Sequence, residues 1–271
     1  MGKKLTDAQV RDFKRDGFLG PVDLITREEA AALRAHIEAV EARIGGEIQS
    51  RFKIKAHLPF PWLCDLIAHP RLLDAVEDII GPNILCWGSS FFQKNAHDPR
   101  FVSWHQDSTY YGLEPPETLT AWIAISDSTL ESGCVRFVPG THGKGIYRHE
   151  EYKAADNLLT RGQTILGVDT AKAVPMVLRA GQFSFHEEDT VHASDPNNSD
   201  DRRIGLSIHY IAPHVHETKY PGATAMLLRG KDTLGHWGRD PWPKAEWDPD
   251  CLAALEATWD LYHSLPLATE S

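Results

Sequence analysis

The sequence predicts a mainly β protein with flanking helices, folded as a jelly roll or barrel. From Asn83 onward, short segments rich in β-branched and aromatic residues are separated by Gly, Pro, Asn and Asp, a pattern typical of many short strands joined by turns. Helical patterns are concentrated at the two ends of the chain. Together these observations favour a jelly roll or barrel over alternating βαβ units.

The N-terminal part, about residues 1–82, is predicted to be helical. Thr6 followed by Gln9, and Thr26 followed by Glu29, fit the capping box, in which the N-cap and N3 side chains bond each other's free amides. The predicted helices cover residues 5–18, 28–44, 70–80 and, at the other end of the chain, 248–263.

The central part, about residues 83–215, is predicted to form the β core. Its predicted strands are residues 84–92, 119–125, 135–138, 174–178, 182–185 and 204–211. Residues 140–174 show weak periodicity, which is typical either of a lid or of an ordinary excursion with short helices. No repeat or low-complexity linker divides the chain, so one domain over residues 1–271 is the simplest interpretation.

The composition argues against several classes of function. A net charge of −10 without a basic tail disfavours nucleic acid or an anionic membrane as a partner. No apolar run approaches the roughly 18 residues of a membrane span, and the basic start lacks the apolar segment of a secretory signal. The four scattered cysteines indicate reduced thiols in a cytoplasmic protein. Whether the protein forms a homo-oligomer is left open.

The run Trp104-His105-Gln106-Asp107 is the first candidate for a metal site. On a strand, residues i and i+2 point to the same face, so the imidazole of His105 and the carboxylate of Asp107 would converge. Two histidines and one carboxylate leave one face of a metal open, which suits non-haem Fe(II) oxygenases. With 14 histidines in the chain, this pattern by itself also fits an exposed strand end.

The third ligand is predicted to be His192, with His186 as its main rival. After His192 comes a polar turn and then Arg202-Arg203, which opens a returning strand. That return can place a guanidinium beside the metal, where it would grip a small dicarboxylate through two hydrogen bonds. A solvated strand start is the preferred interpretation for Arg202. His186 could instead be a buried, hydrogen-bonded histidine or a group that contacts a ligand.

Several blocks of the sequence, in order, resemble the phytanoyl-CoA dioxygenase family of 2-oxoglutarate-dependent oxygenases. The resemblance extends from the first helix to about Tyr210. The matching blocks are Phe101-Val102-Ser103-Trp104-His105-Gln106-Asp107, Thr120-Ala121-Trp122, Gly133-Cys134-Val135-Arg136-Phe137-Val138-Pro139-Gly140-Thr141-His142, and His192-Ala193-Ser194 through Asn197 and Ser199 to Arg203.

The resemblance implies a double-stranded β-helix (cupin-like) core and an enzyme that uses Fe(II), 2-oxoglutarate and O₂. It implies hydroxylation of a C–H bond, with succinate and CO₂ as coproducts, because a carboxylate stands at position 107. The residues that it implies for the metal are His105, Asp107 and His192. Those that it implies for 2-oxoglutarate are Arg203, Ser194, Gln93 and Thr120.

The substrate is predicted only by class. Arg51, Lys53 and Lys55 alternate, so a strand would direct them to one face, and Lys94-Asn95 precedes the metal segment. Such a cluster favours an anionic small molecule, with an organophosphonate first, although a solvated strand face fits equally well. The family alternative is an amine, amino acid or acyl compound. Aromatic residues that could line the mouth are Tyr110, Tyr111, Trp237 and Trp242.

Two alternatives from other classes stay open at this point. One is a non-catalytic jelly roll that binds a small ligand, and the other is a zinc-dependent hydrolase or isomerase on a similar barrel. Neither requires 2-oxoglutarate. Serine hydrolase and dinucleotide-binding functions are disfavoured, because the sequence has no Gly-x-Ser-x-Gly elbow and no Gly-x-Gly-x-x-Gly after a strand.

Overall fold

The computed structural model describes residues 2–110, 112–159 and 162–264 of the 271-residue chain. Its α-helices are α1 (Asp7–Asp16), α2 (Arg27–Ile44), α3 (Ile48–Arg51), α4 (Pro61–Ile67), α5 (Pro70–Ile80) and α6 (Pro249–Ser264). Its strands are β1 (Phe18–Asp23), β2 (Ile84–Lys94), β3 (Val102–His105), β4 (Leu113–Glu114), β5 (Leu119–Ala124), β6 (Val135–Phe137), β7 (His149–Glu151), β8 (Gln163–Ile165), β9 (Val174–Pro175), β10 (Gln182–Glu187), β11 (His192–Ser194), β12 (Arg203–Ile211), β13 (His216–Glu217), β14 (Thr224–Arg229) and β15 (Gly238–Arg239).

Both predicted capping boxes are present at the starts of α1 and α2. The Gln9 amide donates to Oγ1 of Thr6 at 3.2 Å, and the Thr6 amide donates to Oε1 of Gln9 at 2.9 Å. Thr26 and Glu29 make the same reciprocal pair at 3.2 and 2.7 Å. Local sequence therefore specifies where these helices begin. Across the described ranges, no helix has the length and apolar character needed to cross a membrane.

Two sheets face each other. The larger has seven strands in the order β1-β10-β5-β12-β2-β14-β15, and the smaller has four in the order β3-β11-β6-β9. Trp122 and Ala124 of the larger sheet pack with Val135 and Phe137 of the smaller one, so the sheets share an apolar interior. The predicted jelly roll, a double-stranded β-helix, is confirmed.

Strand β12 shows how one strand serves both faces of the larger sheet. Its even-numbered side chains pack with the helices in the main hydrophobic core: Ile204, Leu206, Ile208 and Tyr210. Because side chains alternate along a strand, its odd-numbered side chains face the interior between the sheets: Arg203, Gly205, Ser207 and His209. The helices therefore cover one face of this sheet, and the polar groups lie on the other.

The predicted limits of the helical part and of the β core are corrected by two strands. Strand β1 lies inside the part assigned to helices and pairs with β10 at the edge of the larger sheet. Pro21 in β1 lacks an amide proton, which an edge strand tolerates. Strand β14 lies beyond residue 215 and pairs with β2, so the sheet continues past the predicted core.

The stretch from residue 140 to 174 contains short elements of its own. Strands β7 and β8 pair as an antiparallel ribbon. Two 3-10 helices, His142–Lys144 and Thr170–Lys172, flank this ribbon. The short strand β9 then joins the smaller sheet beside β6, which shortens the strand predicted over residues 174–178 to two residues.

Candidate metal centre

Two histidines and one aspartate meet beside the smaller sheet. His105 ends β3, His192 begins β11, and the two residues are partners in the antiparallel register. The strand predicted to contain both His105 and Asp107 ends at His105, because Asp107 opens a 3-10 helix. Nε2 of His105 lies 3.2 Å, and Nε2 of His192 3.7 Å, from Oδ1 of Asp107. One possible ligand atom from each residue lies within 4.8 Å of the others.

The backbone fixes the proton on each of these imidazoles. Nδ1 of His105 lies 2.8 Å from the carbonyl oxygen of Ser103, and Nδ1 of His192 lies 2.8 Å from that of Thr190. A carbonyl oxygen can only accept, so in each ring Nδ1 carries the donated proton. Nε2 then keeps its lone pair and faces the Asp107 carboxylate, which is the form that binds a metal.

Burial and charge favour protonation states suited to a cation. Burial lowers the pKa of His192 well below its ordinary value, and the neighbouring His105 adds to this shift. Burial by itself would raise the pKa of Asp107, but the charge and hydrogen bonds of the neighbouring histidines His192, His105 and His186 outweigh it, and this pKa lies well below its ordinary value. A neutral imidazole beside an ionised carboxylate is the ligand state that a divalent metal requires.

His186 lies next to the same group. Its Nε2 is 3.4 Å from Oδ2 of Asp107, and its ring centroid is 4.7 Å from that of His192. Nδ1 of His186 is buried and has no hydrogen-bond partner among the described residues. The backbone therefore does not direct a lone pair of His186 toward the group, in contrast to the two other histidines.

Two buried basic side chains, the Arg203–Lys94 pair, follow the metal group along β11. Arg203 and Lys94 are partners on the neighbouring strands β12 and β2 and are at most 1% exposed. Nη1 of Arg203 donates to the Gly133 carbonyl, whereas its Nε has no partner in the described part of the chain. Nζ of Lys94 donates to Oγ of Ser194 at 2.7 Å.

Burial destabilises the charge on both groups. It lowers the pKa of Arg203 to about 10. It lowers the pKa of Lys94 to about 6, and the neighbouring guanidinium adds to that shift. Among the described residues, neither side chain forms an ion pair with a carboxylate. A small dianion would supply the missing charge and a partner for Nε of Arg203.

The structure brings Thr120 to the site and takes Gln93 away from it. Thr120 is the register partner of His186, and its Oγ1 lies 3.1 Å from Nδ1 of His209. Gln93 pairs with Ile204, a residue of the helix-facing core, so the Gln93 side chain lies on the opposite face of the larger sheet from Arg203. The assignment of Gln93 to the cosubstrate pocket is therefore corrected.

The predicted cationic face at residues 51–55 does not form. Arg51 ends helix α3 and is exposed, so the alternation that a strand would produce is lost. Lys55 is buried and pairs with Asp240 at 2.6 Å. Asn95 is exposed, and its Nδ2 donates to Glu47. Lys55 is taken up by Asp240, because a buried cation needs a counter-charge. The three side chains therefore do not form one cationic face.

The predicted aromatic residues are dispersed. The ring of Tyr110 stands edge-on to that of His105, with centroids 6.2 Å apart. Trp237 is buried, and its Nε1 donates to the Val215 carbonyl at 2.7 Å. Trp242 is exposed. Tyr111 lies outside the described residues.

Sequence reasoning gave no role to Trp122 or His209, and it considered Lys94 only for the substrate. The Trp122 ring lies 5.4 Å from the guanidinium carbon of Arg203. Lys94 pairs with Arg203 and contacts Ser194. Strand alternation could have indicated both residues, because side chains two apart lie on the same face of a strand. Trp122 lies two residues after Thr120, and His209 lies six residues after Arg203.

A jelly roll that gathers two histidines and an aspartate beside a buried arginine defines the class of non-haem iron, 2-oxoglutarate-dependent oxygenases. The comparison with protein families agrees with this class. The model of phytanoyl-CoA dioxygenase (PhyH) matches residues 13–205, and the chain belongs to that family.

Curated relatives match over part of their length. Phytanoyl-CoA dioxygenase domain-containing protein 1 of Mus musculus is 36% identical over 126 residues, which cover 45% of this chain and 43% of the relative. A probable alpha-ketoglutarate-dependent hypophosphite dioxygenase of Stutzerimonas stutzeri is 25% identical over 185 residues, covering 66% and 64%. The matches thus span less than two thirds of either relative.

Solved structures match over nearly the whole chain. The non-heme monooxygenase ThoJ, in its apo form, superposes with a TM-score of 0.82 at 32% identity and covers 94% of this chain and 96% of its own. CytC3 with Fe(II) and alpha-ketoglutarate superposes with a TM-score of 0.65 at 25% identity and covers 87% and 93%.

Proposed function

We propose that this chain is an Fe(II)- and 2-oxoglutarate-dependent oxygenase that hydroxylates a C–H bond of a small molecule. Succinate and CO₂ would be the coproducts. The observation that carries the proposal is the pairing of two sites along β11. The metal group includes His192 at the start of this strand, and Lys94 of the Arg203–Lys94 pair contacts Ser194 at its end.

Fe(II) would be held by His105, Asp107 and His192. The residues fit this metal, because two neutral imidazoles and one carboxylate form the donor set that leaves open positions on iron. Bound Fe(II) would supply the activation of O₂. The protein contributes the orientation of the donors: the carbonyls of Ser103 and Thr190 hold the two imidazoles in the tautomer that presents Nε2.

2-Oxoglutarate would place its distal carboxylate on Arg203. Ser194 lies two residues beyond His192 on the same face of β11, about 7 Å along the strand, a separation that suits a five-carbon dicarboxylate. The unpartnered Nε of Arg203 supports this assignment. Lys94 would hold the Ser194 hydroxyl in place and add positive charge.

The substrate would lie against a largely neutral surface. Ser207 and His209 of β12 and Ser90 and Phe92 of β2 are on the interior face of the larger sheet. Burial lowers the pKa of His209 to about 4, so this imidazole is neutral at pH 7. This lining supports a substrate whose reacting part is uncharged.

An organophosphonate remains our first candidate for the complete substrate. Its support is that the Stutzerimonas stutzeri relative is named for a small phosphorus oxyanion, hypophosphite, although hypophosphite itself has P–H bonds and no C–H bond. The separation of Arg51, Lys55 and Asn95 removes the cationic face that first favoured an anion. The test is a panel of small phosphonates, each paired with an uncharged ester analogue. A substrate is a compound that raises the rate of succinate release above the rate without substrate. Release with the esters alone would contradict the phosphonate.

The test of the cofactor assignment is an anaerobic Fe(II) titration with 2-oxoglutarate that records the weak visible band of the chelate. The wild type should develop the band, and His192→Ala should lose it because one metal ligand is gone. His186→Ala is the comparison variant and should still develop the band once Fe(II) is saturating, because all three proposed ligands are intact. If the folded, iron-loaded wild type shows no band, the proposed function is wrong. A zinc enzyme or a non-catalytic binding protein would then be the better interpretation.

The same titration tests Arg203 with a matched neighbour. Arg203→Gln should need at least about tenfold more 2-oxoglutarate for half of the band, since hydrogen bonds to charged groups contribute roughly 1.5–3 kcal/mol. Arg202→Gln should behave like the wild type, because Arg202 binds Glu41 at 2.7 Å on the helical side. Equal effects of the two variants would contradict the assignment of Arg203.

A further inference from the structure

We propose that His186 is a positioning residue that holds the free oxygen of the Asp107 carboxylate, and that it is not a ligand of the metal. This inference rests on the proposed function, because it assumes that Asp107 binds a metal. It assigns a role to a buried histidine that the donor set does not use.

The two oxygens of Asp107 have different neighbours. Oδ1 faces Nε2 of both His105 and His192, at 3.2 and 3.7 Å. Oδ2 faces Nε2 of His186 at 3.4 Å. A cation shared with His105 and His192 would therefore lie on the Oδ1 side, and Oδ2 would stay available to accept a hydrogen bond from His186.

The neutral ring of His186 can carry its single N–H proton on Nε2. Both proposed histidine ligands give the Nδ1 proton to a carbonyl two residues earlier, whereas Nδ1 of His186 has no partner among the described residues. A neutral imidazole carries one N–H. With Asp107 as the acceptor beside Nε2, the tautomer that donates to Oδ2 is the favoured one.

The ring of His186 is held in this position by packing. His186 lies on β10, which has β1 on one side and β5 on the other. Its ring centroid is 5.1 Å from that of Phe137, and the Phe137 ring is itself stacked on Phe18 at 4.9 Å. Asp107, in contrast, lies in a 3-10 turn outside the sheets. The Asp107 amide donates to the Glu188 carbonyl at 2.7 Å, which holds the backbone, and the donor on β10 would orient the carboxylate itself.

The test compares Co(II) binding by the full-length wild type, His186→Phe and His186→Gln. Phenylalanine keeps a ring of similar size but cannot donate, whereas glutamine can place an N–H near the position of Nε2. We expect His186→Phe to weaken Co(II) binding by about ten- to a hundredfold, as outer partners of metal ligands typically do. His186→Gln should recover most of the affinity. The metal-free His186→Phe variant should melt below the wild type, because the buried Asp107 carboxylate loses a donor, so Co(II) binding is compared at a temperature at which all three proteins are folded.

Two results would overturn the proposal. If Co(II)-saturated His186→Phe shows the same altered visible spectrum as His192→Ala, His186 is a ligand. If both His186 variants bind Co(II) as tightly as the wild type, His186 does not position the Asp107 carboxylate. Cobalt binding is measured without 2-oxoglutarate, so it decides the role of His186, whereas the iron–2-oxoglutarate band decides the proposed function. A wild type that binds no metal would overturn both.

Discussion

At the scale of single residues, the site is built by giving identical side chains different hydrogen-bond partners. His105 and His192 donate through Nδ1 to the backbone, while the buried Nδ1 of His186 lacks a partner in the described structure. One residue type thus supplies two candidate ligands and one candidate donor. The same principle separates Arg202, which pairs with Glu41, from Arg203, which is buried with no carboxylate partner among the residues that the structure describes.

Lys94 provides a pH-dependent prediction at this scale. Burial lowers the pKa of Lys94 to about 6 from an ordinary 10.5, so between these pH values the unfolded chain binds a proton that the folded protein does not. The contribution of Lys94 to the free energy of unfolding therefore rises with pH, by at most about 1.4 kcal/mol per pH unit. Lys94→Met removes this contribution.

Urea denaturation of both proteins at pH 7, 8 and 9, without 2-oxoglutarate, measures the effect. We expect the free energy of unfolding of Lys94→Met to exceed that of the wild type most at pH 7. This difference should shrink as the pH rises. Parallel stability curves for the two proteins would show that Lys94 titrates as it does in the unfolded chain. Saturating 2-oxoglutarate should stabilise the wild type more at pH 7 than at pH 9, because the dianion restores the proton on Lys94.

At the scale of elements, strand parity decides which residues reach the site. Sequence patterns located β2 and β12 to within a few residues, and His105, Asp107 and His192 lie together as predicted. The parity of β2 was not predicted, because the sequence Phe91-Phe92-Gln93-Lys94 shows no alternation of apolar and polar residues. A shift of one residue exchanges the faces of a strand. The family resemblance implied Gln93 for the cosubstrate, whereas it is Lys94 that faces the interior beside Arg203.

Gly205 tests the packing between two of these strands. A Cβ at this position would lie 1.9 Å from Cζ2 of Trp122, which in turn covers Arg203. Gly205→Ala should therefore cost about 1–3 kcal/mol of the free energy of unfolding, the usual penalty of overpacking. It should also raise the 2-oxoglutarate concentration needed for the iron band. Gly143→Ala is the matched control, because nothing lies within 4 Å of its added Cβ. Equal urea midpoints for Gly205→Ala and the wild type would contradict this packing.

At the scale of the whole molecule, contacts between distant parts of the chain could not be predicted. Local signals specified the starts of α1 and α2, since the capping boxes involve residues three apart. The pairing of β1 with β10 joins segments about 160 residues apart and has no local signal. Lys55 was assigned to the substrate for the same reason: its partner, Asp240, lies 185 residues further along the chain.

The Lys55–Asp240 pair yields the last prediction. Nζ of Lys55 lies 2.6 Å from Oδ2 of Asp240, both side chains are at most 1% exposed, and Nζ also donates to the Thr224 carbonyl at 2.7 Å. Asp240→Asn leaves the ammonium buried without a counter-charge, so we expect a loss of about 3–5 kcal/mol in urea denaturation. Asp169→Asn, which removes a partner of the exposed Lys172, is the control and should leave the urea midpoint close to that of the wild type. Lys55→Met combined with Asp240→Leu should recover much of the stability, because it removes both buried charges together. If Lys55 instead contacts the substrate, Lys55→Met would raise KM at nearly unchanged stability, and the structural role assigned to this pair would be wrong.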